Sequence, residues 1–268
     1  MRITVTTPSR LHLGIIDLNT DLGRIYGGLG VALERPNVVL EASPAKNLTV
    51  SGKKSDTVKS LAKRFLKHFQ IKSGAHIHVE ETIPEHMGLG STTQLSLAVA
   101  SALAKIYKLD TTTGELAKVM GRGKFSSIGT AAFERGGFVV DGGRKLAGRV
   151  SPGALGIPPV IVHLPFPEQW LFVVAVLGAK RGLNEREEKF AFERLHRAPP
   201  ELADRICRLV LMKMLPSLLE DDLANFGSAL TEVQRLVGDS FKAVQGGTFS
   251  SPVGGGCVKF MLKNGACG

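Results

Sequence analysis

Residues 83–107 read IPEHMGLGSTTQLSLAVASALAKIY. LSLAVASALA is apolar nearly all round and rich in helix formers, the pattern of a helix buried in a core. A strand-like run precedes it and a Gly-x-Gly turn leads into it, so the spacing predicts strand, tight turn and core helix in succession. The first amides of a helix lack internal partners, and its dipole is positive at that end. Gly88, Leu89, Gly90, Ser91 and Thr92 are therefore a candidate phosphate cradle, and the hydroxyls of Ser91, Thr92 and Thr93 can add bonds to phosphate oxygens or to a metal-bound water. The same residues would also serve as a plain cap of a core helix. No Lys follows the second glycine and no third glycine follows, so the turn is neither a Walker loop nor a dinucleotide fingerprint.

Outward from this stretch, RITVTT, VVLEA and HIHVEE read as strands with Gly-rich turns between them. DTVKSLAKRFLKHF is an amphipathic helix: Val58, Leu61, Ala62, Phe65, Leu66 and Phe69 form its apolar stripe, and Lys59, Lys63, Arg64 and Lys67 a basic face. Thr112 and Glu115 have the spacing of a capping box for a further helix ending near Gly121 and Gly123. SSIGTAAFERGGFVVDGG reads as a short helix, a double glycine and a short strand. From about residue 158, PPVIVHLPFPEQWLFVVAVL predicts two strands, followed by a mostly helical region to about residue 238 and a loop-like tail around one short strand. A soft boundary near residue 165 separates an N-terminal domain (1–165) from a C-terminal one (166–268).

The 268 residues, 43% hydrophobic and 22% charged, suffice for one large domain or two ordinary ones. A net charge of +10 favours anionic partners. With one Trp, two Tyr and no recognisable nucleic-acid module, phosphorylated metabolites are the better expectation than nucleic acid. No apolar run reaches the roughly 18–20 residues of a membrane span, and the start MRITVTTPSRLHLG alternates polar and apolar residues, so the expectation is a soluble, cytoplasmic protein. Cys207, Cys257 and Cys267 form no CxxC pair and suggest neither zinc nor a disulfide framework.

PEHMGLGSTTQLSLAVASAL resembles the second motif of the GHMP kinase superfamily, P-x-x-x-G-L-G-S-S-x-A: Pro84, Gly88, Leu89, Gly90 and Ser91 match, with Thr92 in place of the second Ser. PSRLHLGIIDLN, with Pro8 and Arg10, is similar to the first motif. The resemblance implies an α+β GHMP kinase fold, with an N-terminal domain like domain 2 of ribosomal protein S5 and a ferredoxin-like C-terminal domain. Kinases such as mevalonate kinase carry P-S-G-x-D-N ahead of a double glycine, and its Asp is the catalytic base. FSSIGTAAFERGG puts Gly129 at that position, and a glycine cannot take a proton, so the machinery for phosphoryl transfer reads as incomplete. SRLHLGIIDLNTDLGRIYGGLGVAL and QGGTFSSP look more like one branch, the β-ribofuranosylaminobenzene 5′-phosphate synthases, and this likeness covers essentially the whole chain. That branch continues past a string like GACG into a third motif, so the C-terminal domain is expected to be truncated.

The branch makes a methanopterin precursor. It implies decarboxylating transfer of ribose 5-phosphate from phosphoribosyl diphosphate to 4-aminobenzoate or 4-hydroxybenzoate, with Mg2+ as cofactor and, by analogy, a homodimer. Residues 88–93 would hold the diphosphate. Asp17 is the candidate to steady an oxocarbenium-like sugar or to hold the metal together with Ser91, and Asn19 and Arg24 stand near it in sequence. Arg10 and Arg24 offer guanidinium forks for phosphate or carboxylate. His12 is an acid–base candidate or a structural histidine. DLNTDLGR, however, is also the composition of a plain hairpin turn. His76 and His78 share a strand face at the spacing of a metal pair, or simply line a solvent-facing edge. Lys180 and Arg181 are a further phosphate contact or a solvated loop. Two other readings stay open: an ATP-dependent small-molecule kinase drawing its base from elsewhere, and a non-catalytic ligand or nucleic-acid-binding relative.

Overall fold

The computed structural model describes residues 1–85, 87–146, 156–175, 199–249 and 252–268; Lys180 and Arg181 lie outside them. The chain opens with a long hairpin, β1 (Ile3–Asp17) and β2 (Arg24–Ala45), followed by β3 (Thr49–Gly52), α1 (Ser55–His68) and β4 (Gly74–Glu81). Next come α2 (Ser91–Ile106), α3 (Thr113–Val119), α4 (Ile128–Arg135), β5 (Phe138–Asp141), β6 (Arg144–Lys145) and β7 (Val160–Leu164). The remaining described elements are helical: α5 (Pro200–Leu209), a π-helical turn (Val210–Met214), α6 (Leu215–Leu219), α7 (Leu223–Gln245) and α8 (Pro252–Lys263). The capping box of α3 forms as the spacing predicts, with Thr112 and Glu115 satisfying each other's backbone amides.

The sheet runs β3-β4-β2-β5-β7, with β1 and β6 also paired to β2. β2 is long enough to serve as the spine of two cores, because its residues alternate faces along the whole strand. Val38, Leu40 and Ala42 point into the core made with Val58 and Phe65 of α1 and Leu97 and Leu103 of α2. Leu29 and Val31 point the other way, into a second core with Phe138 and Val140 of β5 and Ile206, Phe226 and Val233 of α5 and α7. One face of the sheet thus carries α1 to α4, and the other carries the C-terminal helices over its β5 side. Among the described residues, no helix of the second core lies over the β3–β4 side of that face. Register aligns Thr4, Glu41, His78 and Ser51 in one polar row and Ser43, His76 and Thr49 in the next.

α4 lies unusually close to the sheet because Gly30 has no side chain. A Cβ on Gly30 would stand 2.2 Å from Ile128 Cγ2 and 2.8 Å from the carbonyl oxygen of Leu11. Ile128 itself is fully buried.

Two local readings change. The second strand-like run is not a strand over residues 171–175. A strand needs a neighbour for its ladder, and Trp170 is instead turned into the second core, where its ring meets Phe166 at 5.6 Å and Phe226 at 5.2 Å. The tail, read as loop around a strand, is helix α8. Pro252 stands at its first position, where proline's fixed φ favours a helix start, and the glycines that suggested a loop lie in its first half.

Substituting Gly30→Ala should lower unfolding stability by about 1–3 kcal/mol, the usual cost of overpacking a tight core. Denaturant titration at neutral pH checks this. Ile128→Ala should cost less on the Gly30→Ala background than in the wild type, since there it also removes the methyl that the new Cβ meets.

Candidate anion-binding site

α2 begins at Gly90, in the left-handed region at φ 76°, and no side chain caps it. Two requirements select glycine there: the dihedral, and the fact that a Cβ would sit 2.9 Å from Arg10 Cγ. Arg10 is laid across the turn from β1. Its backbone N–H donates to the Leu89 carbonyl at 3.1 Å, and its Nη1 donates to the Gly88 carbonyl at 2.6 Å. Leu89 is buried and anchors the turn, whereas Gly88 and Thr92 are exposed. A helix N-terminus free of a side-chain cap, with a guanidinium beside it and hydroxyls in its first turn, is built to hold an anion. Arg10 and residues 88–93 are thus brought together. Behind the turn, a cavity of about 50 Å³ is lined by Val38, Leu61, Ile83 and Leu95, with the Lys54–Glu85 ion pair (2.7 Å) among its walls. It is well below the roughly 150 Å³ that admits a benzene ring.

The second helix start nearby, that of α4, has a carboxylate just ahead of it. Asp141, fully buried at the end of β5, accepts from Ser126 Oγ at 2.7 Å and from the Ser127 amide at 2.9 Å, at the head of α4. Its other oxygen accepts from the amides of Gly28 (3.1 Å) and Gly143 (2.9 Å). Gly129, one residue into α4, donates nothing from a side chain and has little room for one: a Cβ would meet Thr93 Cγ2 at 3.2 Å. Its carbonyl accepts from Gln94 Nε2 at 2.9 Å, which ties the first turns of α2 and α4 together.

His12 pairs with Gly30 and so shares the face covered by α4. Burial, reinforced by the charge of Arg10, lowers its pKa to about 3. The imidazole is therefore neutral in the ordinary pH range, able to accept a hydrogen bond but a poor acceptor of a proton and no imidazolium acid.

Asp17, Asn19 and Arg24 form a different group. The Asn19 amide donates to Asp17 Oδ1 at 2.6 Å and the Asp21 amide to Asn19 Oδ1 at 3.2 Å, the side-chain turns of a hairpin end. Arg24 directs Nε to the Gly142 carbonyl (2.6 Å) and Nη2 to the Gly143 carbonyl (2.7 Å). Two of the nitrogens expected to meet a substrate phosphate thus brace the β5–β6 turn. Asp17 lies at the far end of β1 from Arg10, up to roughly 20 Å along an extended strand. Ser91 belongs to the first group and Asp17 to the second, so a Mg2+ ion shared by the two does not fit this arrangement. Among the described residues no cluster of three or more His, Cys, Asp or Glu side chains could hold a metal ion.

Asp141 escaped the sequence reading because an Asp before a double glycine looks like any turn residue. Asp204 also escaped it. Burial first, then the charges of Asp17 and Asp204, push the Cys207 thiol up, which places α5 beside the hairpin end and keeps that thiol un-ionised at neutral pH. His76 and His78 turn Nδ1 toward hydroxyls on β3, His76 with Thr49 and His78 with Ser51 at 2.9 Å, in the polar rows of the sheet.

Comparison with known proteins places these features in context. Residues 56–137 match the GHMP kinases N terminal domain. The β-ribofuranosylphenol 5′-phosphate synthase of Methanothermobacter thermautotrophicus is 37% identical over 260 residues, 91% of this chain and 78% of that protein. The homoserine kinase of Methanococcus maripaludis is 29% identical over 167 residues, 55% of this chain and 51% of that protein. In solved structures, the mevalonate kinase of L. major superposes with a TM-score of 0.59 at 14% identity, over 89% of this chain and 76% of that one, a likeness of fold. Among the described residues no helix is long and apolar enough to cross a membrane.

The lowered pKa of His12 predicts a pH effect. Between pH about 6.5 and about 3 the unfolded chain takes up a proton on His12 that the folded chain refuses, so acid favours unfolding. The stability advantage of the wild type over His12→Gln should therefore shrink as pH falls from 7 to 4. Parallel denaturant titrations at the two pH values measure it.

Proposed function

The chain belongs to the β-ribofuranosylphenol 5′-phosphate synthase family, on the GHMP kinase fold, and from that premise we propose that it transfers the ribose 5-phosphate unit of phosphoribosyl diphosphate to the ring of a hydroxybenzoate or aminobenzoate. The relative's product is a ribofuranosylphenol, which makes 4-hydroxybenzoate the first acceptor to test. In the step, the bond from C1 to the diphosphate oxygen breaks and its electron pair leaves with diphosphate. The ring carbon bearing the carboxylate bonds to C1. The carbon–carboxylate bond then breaks, releasing carbon dioxide and restoring the aromatic ring.

One observation supports this reading over a kinase: the start of α2 at Gly90 has no side-chain cap and lies beside Arg10, while the position of a kinase's base is Gly129, crowded by Thr93. A leaving diphosphate needs donors aimed at the charge it develops, and no base for an attacking hydroxyl. In this reading the open amides at the head of α2, the hydroxyls of Ser91 and Thr92 and the guanidinium of Arg10 take the diphosphate. C1 is bonded to the diphosphate, so Asp17, up to roughly 20 Å along β1 from Arg10, is outside its reach while the diphosphate sits at the turn. Neutral His12 lines the strand between them as a hydrogen-bond partner. Mg2+, entering with the diphosphate and touching the protein through Ser91, would supply charge neutralisation to the leaving group, since this ion favours phosphate oxygens and retained waters over a dedicated cage.

Incubation with Mg2+, phosphoribosyl diphosphate and carboxyl-labelled 4-hydroxybenzoate should release diphosphate and labelled carbon dioxide in equal amounts. ATP consumption without either product would establish a kinase instead. Arg10→Gln should reduce turnover by about 10²–10³-fold, the usual consequence of removing one donor to a developing anion, while far-ultraviolet circular dichroism stays that of the wild type. An Asp17→Asn variant with undiminished turnover would agree with a carboxylate that stands outside the step.

A further inference from the structure

The two groups of site residues do not touch, yet both are fastened to the same three residues. Asp141, Gly142 and Gly143 close the turn from β5 to β6. Toward the hairpin end, the carbonyls of Gly142 and Gly143 receive the fork of Arg24. Toward the anion site, the carboxyl of Asp141 receives Ser126 Oγ and the Ser127 amide, and Ser126 Oγ in turn accepts from the amide of Ile128, the first residue of α4. The Gly129 carbonyl then receives Gln94 of α2. Between these two arms the same carboxyl holds the amide of Gly28 on β2. A ring contact of 6.2 Å between Tyr26 and Phe125, with Arg144 stacked over Phe125 at 5.7 Å, crosses the same gap.

We propose that Asp141 is a positioning residue that fixes the distance between the Asp17 hairpin and the phosphate-binding end of α2. The placement of its bonds supports this more than their number does. A carboxyl buried to 0% exposure that only stabilised the fold could be satisfied by any donors, whereas these four come from three elements that carry or adjoin site residues. It also sets a carboxylate at the Ser127 amide, just ahead of α4, whereas no carboxylate stands in the first turn of α2. Phosphoribosyl diphosphate carries a phosphate at each end, so a substrate that reaches from the turn toward the hairpin end depends on the spacing of the two groups, and an error in it acts on the reaction rather than on binding.

The inference rests on the synthase reading for its kinetic arm and not for its structural one. Asp141→Asn keeps the size of the side chain but replaces one twofold acceptor with a donor. Ser126→Ala removes two bonds, the one to the Asp141 carboxyl and the one from the Ile128 amide, but leaves the carboxyl in place, and is the milder variant should the first fail to fold. Per folded molecule, Asp141→Asn should lose at least tenfold in kcat while KM for phosphoribosyl diphosphate changes less than threefold, and Ser126→Ala should move the same way by less. Hydrogen–deuterium exchange in the absence of substrate should rise together in residues 17–24 and 126–130 and stay unchanged in 97–103. Wild-type kcat in a folded Asp141→Asn protein, or exchange that rises on one side of the turn only, overturns the proposal. If the wild type itself shows no synthase turnover, the functional reading fails, and the exchange pattern alone decides the positioning role.

Discussion

The contact of Ile128 with the bare backbone of Gly30 is the constraint on which the site is built. A sheet residue with any side chain at that point would hold α4 away from β2. With glycine there, α4 drops onto the strand, its first turn comes level with the first turn of α2, and Gly129 meets Thr93. The same close seat brings Ser126 and Ser127 within reach of Asp141. Packing of a few atoms thereby sets where the first turn of α4 and the groups bonded to Asp141 stand, because a close-packed interior transmits displacement instead of absorbing it.

Two helix starts then face the same region with opposite electrostatic histories. Asp141 places a carboxylate at the Ser127 amide just ahead of α4, while α2 begins at a glycine that offers no side chain. A negative charge at the one start disfavours a second anion there, and the other start carries no such charge. His12, kept neutral by its burial and by Arg10, adds no positive charge to compete with the guanidinium for an anion.

Much of the fold was legible beforehand. LSLAVASALA could only be a core helix, Thr112 and Glu115 could only cap one, and the alternation in the first strands matched the sheet. Where sequence reading failed, it relied on composition without a partner in view. LFVV has the residue types of a strand but finds no strand to pair with over residues 171–175, and the glycines of PVGGGCVKFMLK suggested a loop where proline starts a helix. Glycine content reports low intrinsic preference, and tertiary packing overrides preferences of that size.

For the site, the residue order marked the glycine turn ahead of α2 as either a phosphate cradle or a plain cap, and the likeness to the kinase motifs set Gly129 where a kinase has its base. These depend on local spacing along a helix start, and local spacing is what a sequence records. Only the tertiary structure decided that Arg10 lies over Gly90, that Arg24 braces a turn, that Asp17 stands at the other end of β1, and that Asp141 joins the two groups. Those relations are hydrogen bonds and close contacts between segments as many as 119 residues apart. Nothing in the order of residues states them; they follow from which faces of one long strand the glycines leave open.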